Sequence, residues 1–420
     1  MLLLTALLIA TSHAAPAPAQ PHQVRGTERV IAQFGEAFGQ RGTGGGRPYN
    51  GGGIRPEEPG YNIVVAADGT VYGTLWPPAQ SFQFEGGEVF TVTPTATGYR
   101  QALPYWFRNL SDGSFPDSGI SAERNGVLYG TTRVAGDPRS DCGVVYALTP
   151  SALGYSEKVL YAFRGGNDGC VPYGGVLVAA NGDIFGTTSR GGELNGGTVY
   201  TLRKSSRGYS ETILHSFGDS PDGKLPARYL VMDHAGILYG LTEAGGSLSQ
   251  GVLYKLKPDG HGGYAETIVH SFIGGNLGDV PAGEPAVDAD GVVYVATSWG
   301  ASGTGEVYAL KPGGAGYEKR VLYAFGSQPD AQWPSSRLLL DAHGNIYGGA
   351  AVGGAYGFGA IYELPRNRHG YSDSVIYSFR GGAGDGHGPY DITFDAHDGN
   401  LYGVALGGRF NGGVVFRVQL

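Results

Sequence analysis

Seven times along this chain the same short phrase recurs: a Gly, a residue or two, then an aliphatic–aromatic pair, ending at Phe90, Tyr146, Tyr200, Tyr254, Tyr308, Tyr362 and Phe416. The spacings are 56, 54, 54, 54, 54 and 54 residues. A fixed period of this size means one supersecondary unit stacked on itself, so 420 residues can form a single repeat domain.

Each period carries four apolar segments with the two-residue alternation of strands and no helical stripe. One reads Glu-x-aliphatic-aliphatic-aromatic-x-Phe, as in Glu157 to Phe163, Glu211 to Phe217 and Glu266 to Phe272. The next leads through Asn181-Gly182, Asp290-Gly291 or His343-Gly344 into a strand centred on Tyr72, Tyr129, Phe185, Tyr239, Tyr294, Tyr347 or Tyr402. Asn-Gly and Asp-Gly between alternating runs are strong hairpin signals, because a type I′ turn needs positive φ twice. The 76 glycines therefore read as turns rather than disorder.

The pattern predicts an all-β fold: a seven-bladed β-propeller with four antiparallel strands per blade. The last copy stops at its third strand, Gly413-Val-Val-Phe-Arg-Val, and the missing fourth appears near the other end as Glu28 to Phe34. A ring closed by the N-terminal strand completing the C-terminal blade hides both sheet edges. The expected boundaries are a signal peptide over 1–19, a linker over 20–27 and the propeller over 28–420, with a long Gly-rich loop at 35–60. That loop fits either a lid or a tolerated insertion.

The phrases Leu-Tyr-Gly-Thr-Thr, Gly-Gly-Thr-Val-Tyr-x-Leu and Leu-Tyr-Ala-Phe-Arg-Gly-Gly-Asn-Asp-Gly resemble the bacterial tandem repeat called GloVer, found in "choice-of-anchor" surface proteins. The resemblance spans nearly all of Glu28 to Leu420 and is looser around Val295 and Gly348. It implies an exported propeller and brings no catalytic motif with it. The chain ends on a strand where that family carries its anchor, so the expectation is a protein secreted to the periplasm or exterior.

Most repeated polar residues have structural roles. Asp112, Asp168, Asp222 and Asp385 sit in Asp-Gly-x-x-Pro loops and read as turn formers. His215 and His270 occupy the slot that Tyr161, Tyr323 and Tyr377 hold elsewhere, so they read as strand aromatics. Cys142 and Cys170 are the only cysteines; in an exported chain such a pair reads as a disulfide, with two separate buried thiols as the alternative. No metal-ligand spacing, phosphate loop or cofactor motif is present, so no cofactor is expected.

A binding site should instead use the loops joining second to third strands and fourth strands to the next blade. Just before each first strand stand Tyr61, Asp117, Tyr173, Arg228, Glu284, Arg337 and Tyr390, mutually different and without architectural need. The same face should carry Trp76, Trp299, Trp333, Tyr356 and Phe410, with Arg133, Arg139, Arg164, Arg190 and Arg380. Aromatic platforms interleaved with guanidinium groups suit a sugar polymer, particularly an acidic one.

Three functions fit this face. The preferred one is carbohydrate binding. The second is catalysis: a uronate lyase would use Tyr173, Tyr390 or His387 as base beside Arg228 and Arg337, whereas a hydrolase would pair carboxylates among Asp117, Glu284, Asp279 and Asp391. The third is a protein-interaction scaffold. A net charge of −8 without any basic run argues against nucleic acid, no segment suggests membrane insertion, and a monomer is expected.

Overall fold

The computed structural model describes residues 26–34, 59–75, 86–108, 111–137, 139–152, 154–274, 280–300, 303–314, 316–395, 398–409 and 411–420. Residues 1–25 and 35–58, which include the expected signal peptide and most of the long loop, lie outside them, as do Trp76, Asp279 and Phe410. Among the described residues no helix is long and apolar enough to cross a membrane.

Among the described residues seven antiparallel blade sheets follow one another along the chain, five of four strands and two of five, and a separate two-stranded ladder joins Arg366–Asn367 to Gly370–Tyr371. The seventh is completed by the N-terminal strand Thr27–Gln33, which pairs with Val414–Gln419 in the register Thr27↔Gln419 to Gln33↔Val414. The fold is the closed seven-bladed propeller. In the fifth and sixth blades the innermost strand is broken in two, Val280–Pro281 then Ala286–Val287, and Ala331–Pro334 then Leu339–Leu340. Pro281 and Pro334 offer no N–H to the ladder, whereas Pro226 and Pro389 lie beside register shifts inside the continuous strands Gly223–Met232 and Gly386–Phe394.

The recurrent phrase has a local cause. Gly186 faces Tyr200 across the ladder, and a Cβ at Gly186 would overlap the phenol. Gly73, Gly130, Gly240, Gly348 and Gly403 stand in the same relation to Phe90, Tyr146, Tyr254, Tyr362 and Phe416. Each ring folds flat over its own glycine. On its far side the Phe closing the previous blade's fourth strand packs edge-on: Phe163 to Tyr200 at 5.1 Å, Phe217 to Tyr254 at 4.9 Å and Phe325 to Tyr362 at 4.9 Å between centroids. These pairs are fully buried and form the apolar seams between blades.

A polar layer repeats beside several of the seams. Tyr105 donates to Asp112 at 3.2 Å, Tyr323 to Asp330 at 3.0 Å and Tyr377 to Asp385 at 2.9 Å. Each aspartate also accepts a backbone amide, from Arg108, Gly326 and Arg380 respectively. The repeated loop aspartates are thus turn formers that also tie down a strand hydroxyl. A second carboxyl from the next blade closes on the group: Tyr161 lies 3.1 Å from Glu211, and Glu157 feels Asp112. Burial first, then the neighbouring Asp112 charge, pushes Glu157 from an ordinary 4.5 up to about 8. Burial and Asp168 push Glu211 up to about 9.

Candidate functional site

The inner ends of the blades meet on the axis. The Tyr61 ring lies 5.8 Å from that of Tyr390 and 6.5 Å from that of Tyr173, so residues from the first, third and seventh blades converge. Tyr390 donates its hydroxyl to the Pro59 carbonyl at 2.9 Å, and the Tyr61 amide donates to the Asp117 carbonyl at 3.0 Å. Farther round, the Leu338 amide donates to the Glu284 carbonyl.

Arg337 and Asp391 make the strongest polar contact here. Arg337 donates Nε to Asp391 Oδ1 at 2.7 Å and Nη2 to Oδ2 at 2.9 Å, a two-pronged fork. The Ile63 amide donates to the same carboxylate at 3.2 Å. One buried carboxylate thereby joins the sixth, seventh and first blades. Burial raises the Asp391 pKa, and the Arg337 guanidinium opposes that rise. Asp117, also buried, pairs with Arg133 at 2.9 Å, whose guanidinium lies 4.9 Å over the Phe115 ring.

The remaining expected site residues divide. His387 is half-buried against Gly407 of the adjacent strand in its own blade. The Arg164 amide donates to Asp168, so its backbone belongs to a seam loop. Arg228 lies in the strand Gly223–Met232, and its side chain is outside the described residues. Trp299 and Trp333, from the fifth and sixth blades, come together with centroids 5.5 Å apart and planes at 31°. They are 41% and 40% exposed. Beyond them Tyr356 is 50% exposed, with the Arg380 guanidinium 5.3 Å over its ring.

Sequence reasoning named Trp333 on this face but missed Phe115, Val171 and Leu225, which share its backbone conformation. Phe115, Val171, Leu225 and Trp333 each precede a proline of the repeated loop, and all four hold a left-handed φ between 54° and 60°. Such a backbone is unusual for large and β-branched side chains and tends to gather at functional surfaces. Exposed Phe358, Leu194, Leu248 and Ile273 lie in the same two loop classes. The signal was present as a changing residue inside a constant frame, Asp-x-x-x-Pro, with Gly after the Asp in three of the four loops.

Cys142 and Cys170 are joined, with Cα atoms 4.6 Å apart, tying the second-to-third-strand loop of the second blade to the loop that leaves it. The face thus carries a rim of aromatic and apolar side chains around an axis where Arg337 is paired with Asp391 and Asp117 with Arg133.

These features define a closed propeller with one aromatic face. The chain belongs to the Gloeobacter/Verrucomicrobia repeat family, whose model matches residues 58–284 and 229–420. No curated protein matches it. Among solved structures it is similar to a candidate 6-phosphogluconolactonase from Bacteroides uniformis, at 13% identity and a TM-score of 0.47, covering 75% of this chain and 83% of that one. It is also similar to a candidate oxidoreductase (glucose dehydrogenase) from Thermus thermophilus, at 15% identity and a TM-score of 0.41, covering 71% of this chain and 95% of that one.

Proposed function

We propose that this propeller is an exported binding module for polysaccharide, preferentially acidic, held on its aromatic face. The observation that carries the reading is the Trp299–Trp333 pair: two indoles side by side, each about two-fifths exposed, on a rigid scaffold. Large aromatic surface left in water at one place is a binding feature rather than a folding one. Arg380 beside Tyr356 adds a guanidinium, the group that pairs carboxylates in a fork. The Cys142–Cys170 disulfide is in keeping with an oxidising compartment.

Binding is preferred to lyase chemistry because two of the groups a lyase would use are already engaged. Arg337 is forked onto Asp391, and the Tyr390 hydroxyl donates to a backbone carbonyl. A lyase built on this pair needs both groups turned toward a sugar.

The test is affinity electrophoresis through gels containing neutral or acidic polysaccharides. Retardation by an acidic polymer is expected, and Trp299→Ala with Trp333→Ala should weaken it at least tenfold without lowering the melting temperature. No retardation by any polymer, or none lost in the double variant, refutes the reading. Growth of the ultraviolet absorbance of unsaturated uronates would replace it with the lyase.

A further inference from the structure

The seam between the third and fourth blades departs in one residue from the four seams whose polar layer carries a tyrosine. Where the other polar layers carry Tyr105, Tyr161, Tyr323 or Tyr377, this one carries His215. Asp222 from the loop and Glu266 from the next blade's fourth strand keep the positions that carboxyls hold elsewhere. The change alters the chemistry completely. A phenol beside two carboxyls serves as a hydrogen-bond donor, whereas an imidazole between two carboxylates is a nitrogen ligand in a set of one N and two O donors.

We propose that His215, Asp222 and Glu266 bind a divalent first-row transition ion, Zn²⁺ being the probe of choice, and so staple the third blade to the fourth.

The spacing fits a shared ion better than a direct bond. His215 Nε2 lies 3.3 Å and 3.4 Å from the two Asp222 oxygens and 3.7 Å from Glu266 Oε1. A charge-assisted hydrogen bond closes to about 2.7–2.9 Å. Ligands about 2.0–2.2 Å from one tetrahedral ion stand roughly 3.3–3.6 Å from each other. One ligand atom from each residue lies within 4.8 Å of the other two.

The donors are also held in place. Asp222 accepts amides from Gly218 at 2.9 Å and Gly223 at 2.6 Å, which fix its carboxylate. The Phe217 ring stands edge-on to the imidazole at 4.6 Å. Glu266 Oε1 is buried and accepts no hydrogen bond, as is true of Glu157 Oε1 and Glu211 Oε1 in the sister seams; here alone it lies within 3.7 Å of an imidazole nitrogen. His215, Asp222 and Glu266 side chains remain 21%, 19% and 19% exposed, which leaves an entry path and a fourth position for water.

The adjacent seam supplies a built-in contrast. His270 holds the slot of His215 one blade on, but Lys319 stands where the glutamate would be. The Lys319 ammonium pairs with Glu306 at 2.9 Å and lies 3.9 Å over the Tyr308 ring. A cation there opposes a metal.

The experiment is Zn²⁺ titration of the full chain by calorimetry, followed by the visible spectrum of the Co²⁺ form. One ion per chain, a tetrahedral Co²⁺ band and a chelator-reversible rise in melting temperature are expected. His215→Tyr, which installs the residue of the sister seams and is therefore expected to fold, should abolish all three. Glu266→Gln should weaken binding at least tenfold, and His270→Tyr should leave it unchanged. Absence of stoichiometric binding, or binding that survives in His215→Tyr, overturns the assignment and leaves an ordinary histidine–carboxylate ion pair.

Discussion

Phe34 packs on Phe90 with ring centroids 4.7 Å apart and both rings fully buried. Phe34 ends the N-terminal strand that completes the seventh blade, and Phe90 lies on the third strand of the first. The contact is the same staple as Phe163 on Tyr200, so the ring is closed by the interaction that builds it.

Phe34→Ala and Phe163→Ala should therefore lose similar stability, each about 3–5 kcal/mol. Denaturant unfolding checks this. A much smaller loss at Phe34 would mean that the closing seam is not part of the cooperative unit.

Gly186 leaves no room for a Cβ under the Tyr200 phenol. Gly186→Ala is expected to destabilise by about 1–3 kcal/mol through overpacking. Gly314, with nothing within 4 Å of its added Cβ, should accept Ala within about 0.5 kcal/mol. Equal costs at the two sites would contradict the ring-over-glycine account.

The raised carboxyls make stability fall with pH. In the folded state Glu157 holds its proton up to about 8, whereas an unfolded glutamate releases it near 4.5. Between these values the native state binds more protons, so its advantage is complete below 4.5 and is lost as pH rises through 8. Melting temperature measured from about pH 5 to about pH 9 should decline, and Glu157→Gln should flatten that decline. An unchanged slope in the variant would remove Glu157 as its source.

Arg337→Met should cost about 3–5 kcal/mol, because it strands the buried Asp391 charge among three blades. Adding Asp391→Asn should recover part of the loss by removing that charge. Calorimetric melting of both variants is the check, and an Arg337→Met protein as stable as the parent would show that the fork carries no structural load.

The fold was largely legible because each blade is a local problem: alternation, hairpin pairs and a Phe every period mark the strands residue by residue. Positions on the axis were legible by phase, and Tyr61, Tyr173 and Tyr390 do converge. Their partners were not. Arg337 was marked as a mouth residue, but its fork onto Asp391 joins side chains 54 positions apart on different blades. The left-handed Phe115 and Val171 were hidden for another reason: their loops look like ordinary turn chemistry, and only backbone angles reveal the strain.

The period of the sequence, by itself, determined the number of blades, the strand order and the closure by Glu28 to Phe34, since these follow from local pattern and from hiding sheet edges. Tertiary structure alone decided which side chains from different blades become neighbours: Trp299 with Trp333, Arg337 with Asp391, His215 with Glu266. Those distances depend on how far each blade turns about the axis. That angle is set by seam packing between residues about 40 to 60 positions apart, which no short-range periodicity encodes.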